Sequence, residues 1–189
     1  LRIPSHPVAR ALLSEAGVPV AAPSANRSGR PSPTAADHVW NDLSGRIHGL
    51  LDGGLSGVGV ESTVVDVTGK VPVLLRPGGI TWEQLREVVD TIEVDPGLSG
   101  GAIPRSPGVK YRHYAPRGKM WLVVGEGDAL IHQVQTWADE GKRQGRKVGI
   151  LTTVEQREQY DADWVLACGQ RSDPASVARN LYQVLRCFD

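Results

Sequence analysis

The sequence predicts an α/β protein built in two parts, and three patterns predict it. In residues 118–189, short apolar runs alternate with helical periodicity, the order of a small parallel sheet with crossover helices. Residues 1–95 combine a strand–loop–helix order with a hairpin pattern. Between them, glycine and proline punctuate an aperiodic stretch that reads as an interdomain linker over 96–117.

The elements follow in order. Residues 7–16 read as a helix, with Pro7 in the first turn, Val8, Leu12 and Leu13 on one face, and Gly17 as its stop. Residues 18–22 read as a short buried strand that feeds a polar loop, and 35–43 as a helix with the Val39/Leu43 spacing. Residues 62–67 and 71–75 are β-branched or apolar runs around Thr68-Gly69-Lys70, a hairpin. Thr81 followed by Gln84 is a capping box that opens a helix with Leu85, Val88 and Val89 inward. In the second part, strands are expected at 121–124, 148–152 and 164–167, and helices at 128–142, 155–159 and 174–186. Ile131, Val134 and Ala138 mark one buried stripe, and Val177, Leu181, Val184 and Leu185 another.

Composition narrows the function. Among 189 residues, 40% hydrophobic content indicates a globular chain, and 21 acidic against 21 basic side chains leave no net field to gather nucleic acid. Cys168 and Cys187 are too few for a disulfide framework or a zinc site, and no apolar run has membrane-spanning length, which together predict a cytoplasmic address.

The groups that carry chemistry are polar and scattered. Residues 23–34 hold four hydroxyls, the Asn26 carboxamide and the guanidinium groups of Arg27 and Arg30, with no large apolar side chain. Proline and glycine let the donors of such a loop converge on one point, as an anionic ligand requires. Arg2, His6, Glu61-Ser62-Thr63 and Arg76-Pro77-Gly78 add polar groups beside apolar runs, and a guanidinium at a strand end suits phosphate or carboxylate. Arg76 capping carbonyls, and Ser62 satisfying a strand edge, are the plainer alternatives. The segment from Lys110 to Pro116 mixes cations with Tyr111 and Tyr114, a combination that holds bases and phosphates. No Ser/His/Asp order, Cys/His pair or glycosidase-like carboxylate pair stands out, so the chemistry is one of positioning. Gly125-Glu126-Gly127 lacks the remaining parts of a dinucleotide fingerprint, and no metal site is expected from Asp52.

Several blocks taken together resemble a known family. Pro23-Ser24-Ala25-Asn26-Arg27-Ser28-Gly29 with Ser32-Pro33-Thr34, Asp52-Gly53-Gly54, Glu61 to Asp66, Leu75-Arg76-Pro77-Gly78, and Ser106-Pro107-Gly108 with Lys110 to Pro116 resemble the two-domain YrdC-type threonylcarbamoyl-AMP synthases. The resemblance implies a partial YrdC-like α/β domain over 1–95, a linker over the active site at 96–117, and a smaller, partial Rossmann-like parallel α/β domain over 118–189. It implies a nucleotidyltransferase that joins L-threonine, bicarbonate and ATP into threonylcarbamoyl-AMP with release of pyrophosphate. The product would pass to the tRNA-modifying threonylcarbamoyl transferase machinery, and Mg2+ would accompany ATP.

By motif, Ser24, Asn26, Ser32, Arg76, Tyr111 and His113 correspond to ATP contacts, and Arg2, Ala22 and Ser62 to positions around threonine. The family's N-terminal Lys-x-Arg pair has no counterpart here, so the resemblance implies an internal fragment with little synthase activity of its own. Two other readings stand beside it: the carbamoyl-adenylate-forming domain of hydrogenase maturation, and a noncatalytic RNA-binding module using Lys142, Arg143, Arg146 and Lys147.

Overall fold

A computed structural model describes residues 3–103, 105–106 and 116–189. Arg2, Tyr111 and His113 lie outside the described residues, as does most of the Ser106–Pro116 block. The architecture is mixed α/β with two small sheets.

The first helix, α1 (Pro7–Ala16), begins with proline where the missing N–H costs nothing, and stops at Gly17, whose amide bonds the Leu13 carbonyl. Helix α2 (Ala36–Leu43) follows the polar loop. Strands β1 (Val64–Asp66) and β2 (Val73–Arg76) form the expected antiparallel hairpin, with a register irregularity between Val64 and Val65. The capping box at Thr81 is complete: the Gln84 amide donates to Thr81 Oγ1 at 3.3 Å, and the Thr81 amide donates to Gln84 Oε1 at 2.9 Å. It opens a helix, α3 (Trp82–Arg86), of only five residues.

Strand β3 (Glu93–Val94) lies parallel to β2 and completes a three-stranded sheet in the order β1-β2-β3. A 3-10 turn follows at Pro96–Ser99, inside the stretch expected to be structureless. There the Asp95 side chain accepts from the amides of Gly97 and Arg105, replacing ladder bonds with an Asx-type turn.

In the C-terminal part, α4 (Gly127–Arg143), β4 (Gly149–Thr152), a 3-10 helix at Val154–Gln159, β5 (Trp164–Ala167) and α5 (Pro174–Arg186) succeed one another. Strands β4 and β5 are parallel, in register from Gly149 opposite Trp164 to Thr152 opposite Ala167. Ala138, Ile150, Cys168, Tyr182 and Leu185 are buried in this part, and Leu74 and Ile92 in the first. The Phe188 ring lies against Gly149, where a Cβ would fall 2.4 Å from it.

Three expectations are corrected. Residues 18–22 form no strand: a strand needs a neighbour for its N–H and C=O groups, none pairs with it among the described residues, and Val18 and Val20 are exposed. Residues 121–124 likewise stay outside the β4–β5 ladder, leaving Trp121, Leu122 and Val124 exposed. Val88 does not face inward, because α3 ends before it and leaves the side chain 84% exposed. Among the described residues, no helix is long and apolar enough to cross a membrane.

Candidate nucleotide and amino-acid site

The polar loop between residues 23 and 34 has no large apolar side chain to bury, so hydrogen bonds largely define its shape. Asn26 Nδ2 donates to the carbonyls of Arg27 at 3.0 Å and Arg30 at 3.3 Å, drawing the loop into a closed turn. These two donors settle the orientation of the amide, and its Oδ1 is buried with no partner among the described residues.

Asp42, on α2, holds the same turn from beneath. Its side chain is fully buried, and it accepts from the Arg27 amide at 3.2 Å, from Arg30 Nη1 at 2.7 Å and from Arg186 Nη2 at 2.8 Å. Burial alone would push its carboxyl upward, but the hydrogen bonds from Arg186, Arg30 and the Arg27 amide outweigh that and hold it down at about 2. Arg186 also donates to the carbonyl of the fully buried Pro31. At the far end of the loop, the Thr34 amide donates to His38 Nδ1 at 3.1 Å, and its carbonyl accepts from Ser56 at 2.8 Å. Burial and then the Arg186 charge lower the pKa of His38, favouring the neutral ring that this acceptor role requires.

The second wall comes from the hairpin and the turn after it. Arg76 Nε and Nη2 both donate to the Ser62 carbonyl, at 3.1 and 3.0 Å. Thr63 Oγ1 donates to the Ile80 carbonyl at 2.6 Å and accepts the Ile80 amide at 3.0 Å, while the Gly79 amide donates to the Glu61 carbonyl at 3.0 Å. At Gly78 a Cβ would sit 2.3 Å from the Glu61 oxygen, so the two segments can lie this close only because no side chain intervenes. Ser32 Oγ then donates to Glu61 Oε1 at 2.5 Å and joins the polar loop to this wall. The other oxygen of Glu61 accepts from Tyr182 Oη at 2.7 Å.

The structure therefore brings Ser32, Ser62 and Arg76 into one hydrogen-bonded cluster, with Asn26 on the same loop as Ser32. Ala22 and Ser24 lie exposed on the irregular run leading into that loop. Two open clefts, of about 520 Å³ beside α1 and about 180 Å³ between Pro33, Val39 and residues 50–54, are lined by none of the residues matched to ATP or threonine, although the second includes Pro33 and Asp52-Gly53-Gly54 from the blocks that carry the resemblance. The cluster, not a closed cavity, defines the site.

Sequence reasoning missed Asp42, Tyr182 and Arg186. The available signal was an acidic residue three positions after Val39, on the inward side of α2, and a tyrosine and arginine four apart on α5.

Comparison with known proteins decides the family. A family model described as "Threonylcarbamoyl-AMP synthase, C-terminal domain" matches residues 80–189, and one described as "Telomere recombination" matches residues 1–78. The chain belongs to the threonylcarbamoyl-AMP synthase family. It is 51% identical over its whole length to the threonylcarbamoyl-AMP synthase of Bacillus subtilis, covering 54% of that protein. It is 41% identical to that of Pyrococcus abyssi and 44% to that of Schizosaccharomyces pombe, again along the entire chain and covering 54% and 49% of them. The crystal structure of P. abyssi Sua5 complexed with L-threonine superposes with a TM-score of 0.88 at 41% identity, over 100% of this chain and 54% of that one. The chain thus spans about half the length of the synthases it matches.

Proposed function

We propose that this chain contributes the polar loop and hairpin wall of an ATP- and L-threonine-binding site, in a synthase that forms threonylcarbamoyl-AMP and pyrophosphate from L-threonine, bicarbonate and ATP. The meeting of the polar loop and the hairpin wall at Glu61-Ser62 is the single observation that carries the reading: Ser32 Oγ donates to the Glu61 carboxyl and Arg76 to the Ser62 carbonyl, so three segments chosen by motif converge there. The likeness to enzymes of that name along the whole chain supports it. Ser24, Asn26, Ser32, Arg76, Tyr111 and His113 are the proposed ATP contacts, and Arg2, Ala22 and Ser62 the proposed threonine contacts. A two-domain arrangement with a Rossmann-like second domain, a cytoplasmic address and delivery of the product to tRNA-modifying machinery belong to the same proposal.

Attack of a carbamate oxygen on the α-phosphorus needs no protein nucleophile. It needs the two reactants held in line, and donors placed where phosphate oxygens gain charge. Serine hydroxyls and an arginine at a hairpin end are donors of that kind; in this conformation Ser32 Oγ is given to Glu61 and Arg76 Nε and Nη2 to the Ser62 carbonyl, so ligand binding would re-aim them. Asn26 is constrained further: both donors of its Nδ2 are used within the loop, so the group it has left is its buried Oδ1, an acceptor that a ligand would reach once the loop opens. The part of the ligand at Asn26 is therefore a donor, an amine or hydroxyl and not a phosphate oxygen.

Among the described residues, no group of three or more His, Cys, Asp and Glu side chains could hold a metal, and Asp42 and Glu61 are already engaged. Magnesium would enter on the triphosphate, its usual carrier, where it would neutralise phosphate charge.

The RNA-binding reading is weakened by pairing: Lys142, Arg143 and Lys147 meet Asp161, Glu140 and Asp163. Calorimetric titration with Mg-ATP, with and without threonine, tests the proposal. Asn26→Ala and Arg76→Ala are each expected to weaken binding by at least tenfold. Unchanged binding in both variants refutes it.

A further inference from the structure

Helix α5 presents two chemically different faces. Val177, Leu181, Val184 and Leu185 form its apolar side, and Arg179, Tyr182 and Arg186, spaced three and four apart, line the other. Each of these three reaches a different segment of the first half. Arg179 Nε donates to the Gly57 carbonyl at 3.1 Å, Tyr182 to Glu61 at 2.7 Å, and Arg186 to Asp42 at 2.8 Å and to the Pro31 carbonyl. The side chains of Asp42 and Arg186 are 0% and 9% exposed, so their bond is shielded from water and charge-assisted.

We propose that α5 is a positioning element for the polar loop, in which Tyr182 fixes Ser32 through Glu61, and Arg186 fixes the backbone of residues 27–31 through Asp42. A loop whose apolar side chains are one alanine and three prolines, of which Pro31 alone is fully buried, offsets little of its ordering entropy by burial, so anchors from outside must hold it. Here both anchors come from one helix face. Displacing α5 by a single residue's rise would break both together, so the seating of α5 and the shape of the loop behave as one unit. Tyr182 and Arg186 touch no reacting atom in this scheme; they act through Glu61 and Asp42. The geometry stands independently of the adenylate-forming reading, and only the consequence for ATP rests on it.

Site-resolved amide hydrogen exchange on the full chain tests the inference. Tyr182→Phe removes one oxygen and is expected to speed exchange at residues 26–34 about tenfold, with β4 and β5 protected as before. Glu61→Leu should reproduce that pattern. Glu61→Gln, whose amide can still bridge Ser32 and Tyr182, should restore slow exchange. Arg186→Lys, which keeps the charge but not the fork, should loosen residues 27–31 more than Ser32.

Loop exchange unchanged in Tyr182→Phe, or loss of protection spread evenly over the molecule, overturns the proposal, as does a Glu61→Gln variant as loose as Glu61→Leu. In parallel, Mg-ATP titration should show affinity reduced roughly fivefold by Tyr182→Phe, because fewer molecules hold the competent loop. If the unaltered chain binds no ATP while the exchange pattern appears, the adenylate reading fails and the positioning role survives. Normal ATP binding with no change in exchange does the opposite: the positioning role fails and the adenylate reading survives.

Discussion

At the scale of single residues, Asp42 concentrates the electrostatics of the site. A fully buried carboxyl is costly to ionise unless strongly paired, and two guanidinium groups and a backbone amide meet that demand here. Asp42→Ala would strand Arg30 and the nearly buried Arg186, and is expected to cost about 3 kcal/mol in urea unfolding. The pH dependence has a definite sign. The folded carboxyl titrates at about 2 against an ordinary 3.8, so its contribution is fully present above about pH 4 and is lost as pH falls toward 2. That contribution is worth about 2 kcal/mol. Melting temperatures measured across this window should fall steeply for the parent chain. In Asp42→Asn, less stable at neutral pH, that acid limb should be missing. His38, whose pKa is lowered from 6.5, contributes in a separate and higher window: its stabilisation is present above pH 6.5 and fades as the pH drops below it.

At the scale of elements, local chemistry decides what could be read in advance. Proline and glycine at the ends of α1, the capping box of α3 and the apolar stripe of α5 are contained within a few residues, and the helices appear where those signals place them. Thr81→Ala should remove the capping-box bond that Thr81 Oγ1 accepts from the Gln84 amide, leaving the Thr81 amide still able to donate to Gln84 Oε1, and reduce stability by about 1 kcal/mol, measurable as a lower urea midpoint with unchanged slope. Strands are different, because their bonds lie elsewhere in the chain. The apolar run at 121–124 resembles the one at 164–167, yet among the described residues only the second finds a ladder partner. The same reason hid β3, two residues long and fixed entirely by β2. Within the site, Ser32 and Arg76 could be singled out because their residue types suit the chemistry. Asp42 and Tyr182 carry only a spacing signal along their own helices, because Arg186 and Glu61, which complete their roles, lie 144 and 121 positions away.

At the scale of the whole molecule, surface composition predicts behaviour in solution. Val18, Val20, Met120, Trp121, Leu122 and Val124 are each more than half exposed, on runs with strand-like sequence that join no sheet among the described residues. Exposed apolar edges of this kind template association. Sedimentation of the 189-residue chain should show weight-average mass rising with concentration, and Leu122→Lys with Val124→Lys should suppress the rise. One close approach also constrains how the molecule can change over generations. At Gly59, with φ of 81°, a Cβ would fall 2.2 Å from the Arg179 carbonyl oxygen, so main chain abuts main chain where residues 57–61 meet α5. A helix grafted from a relative would seat only on a recipient that keeps glycine at position 59, whereas the side chain at 179 is free to drift so long as some donor still reaches the Gly57 oxygen.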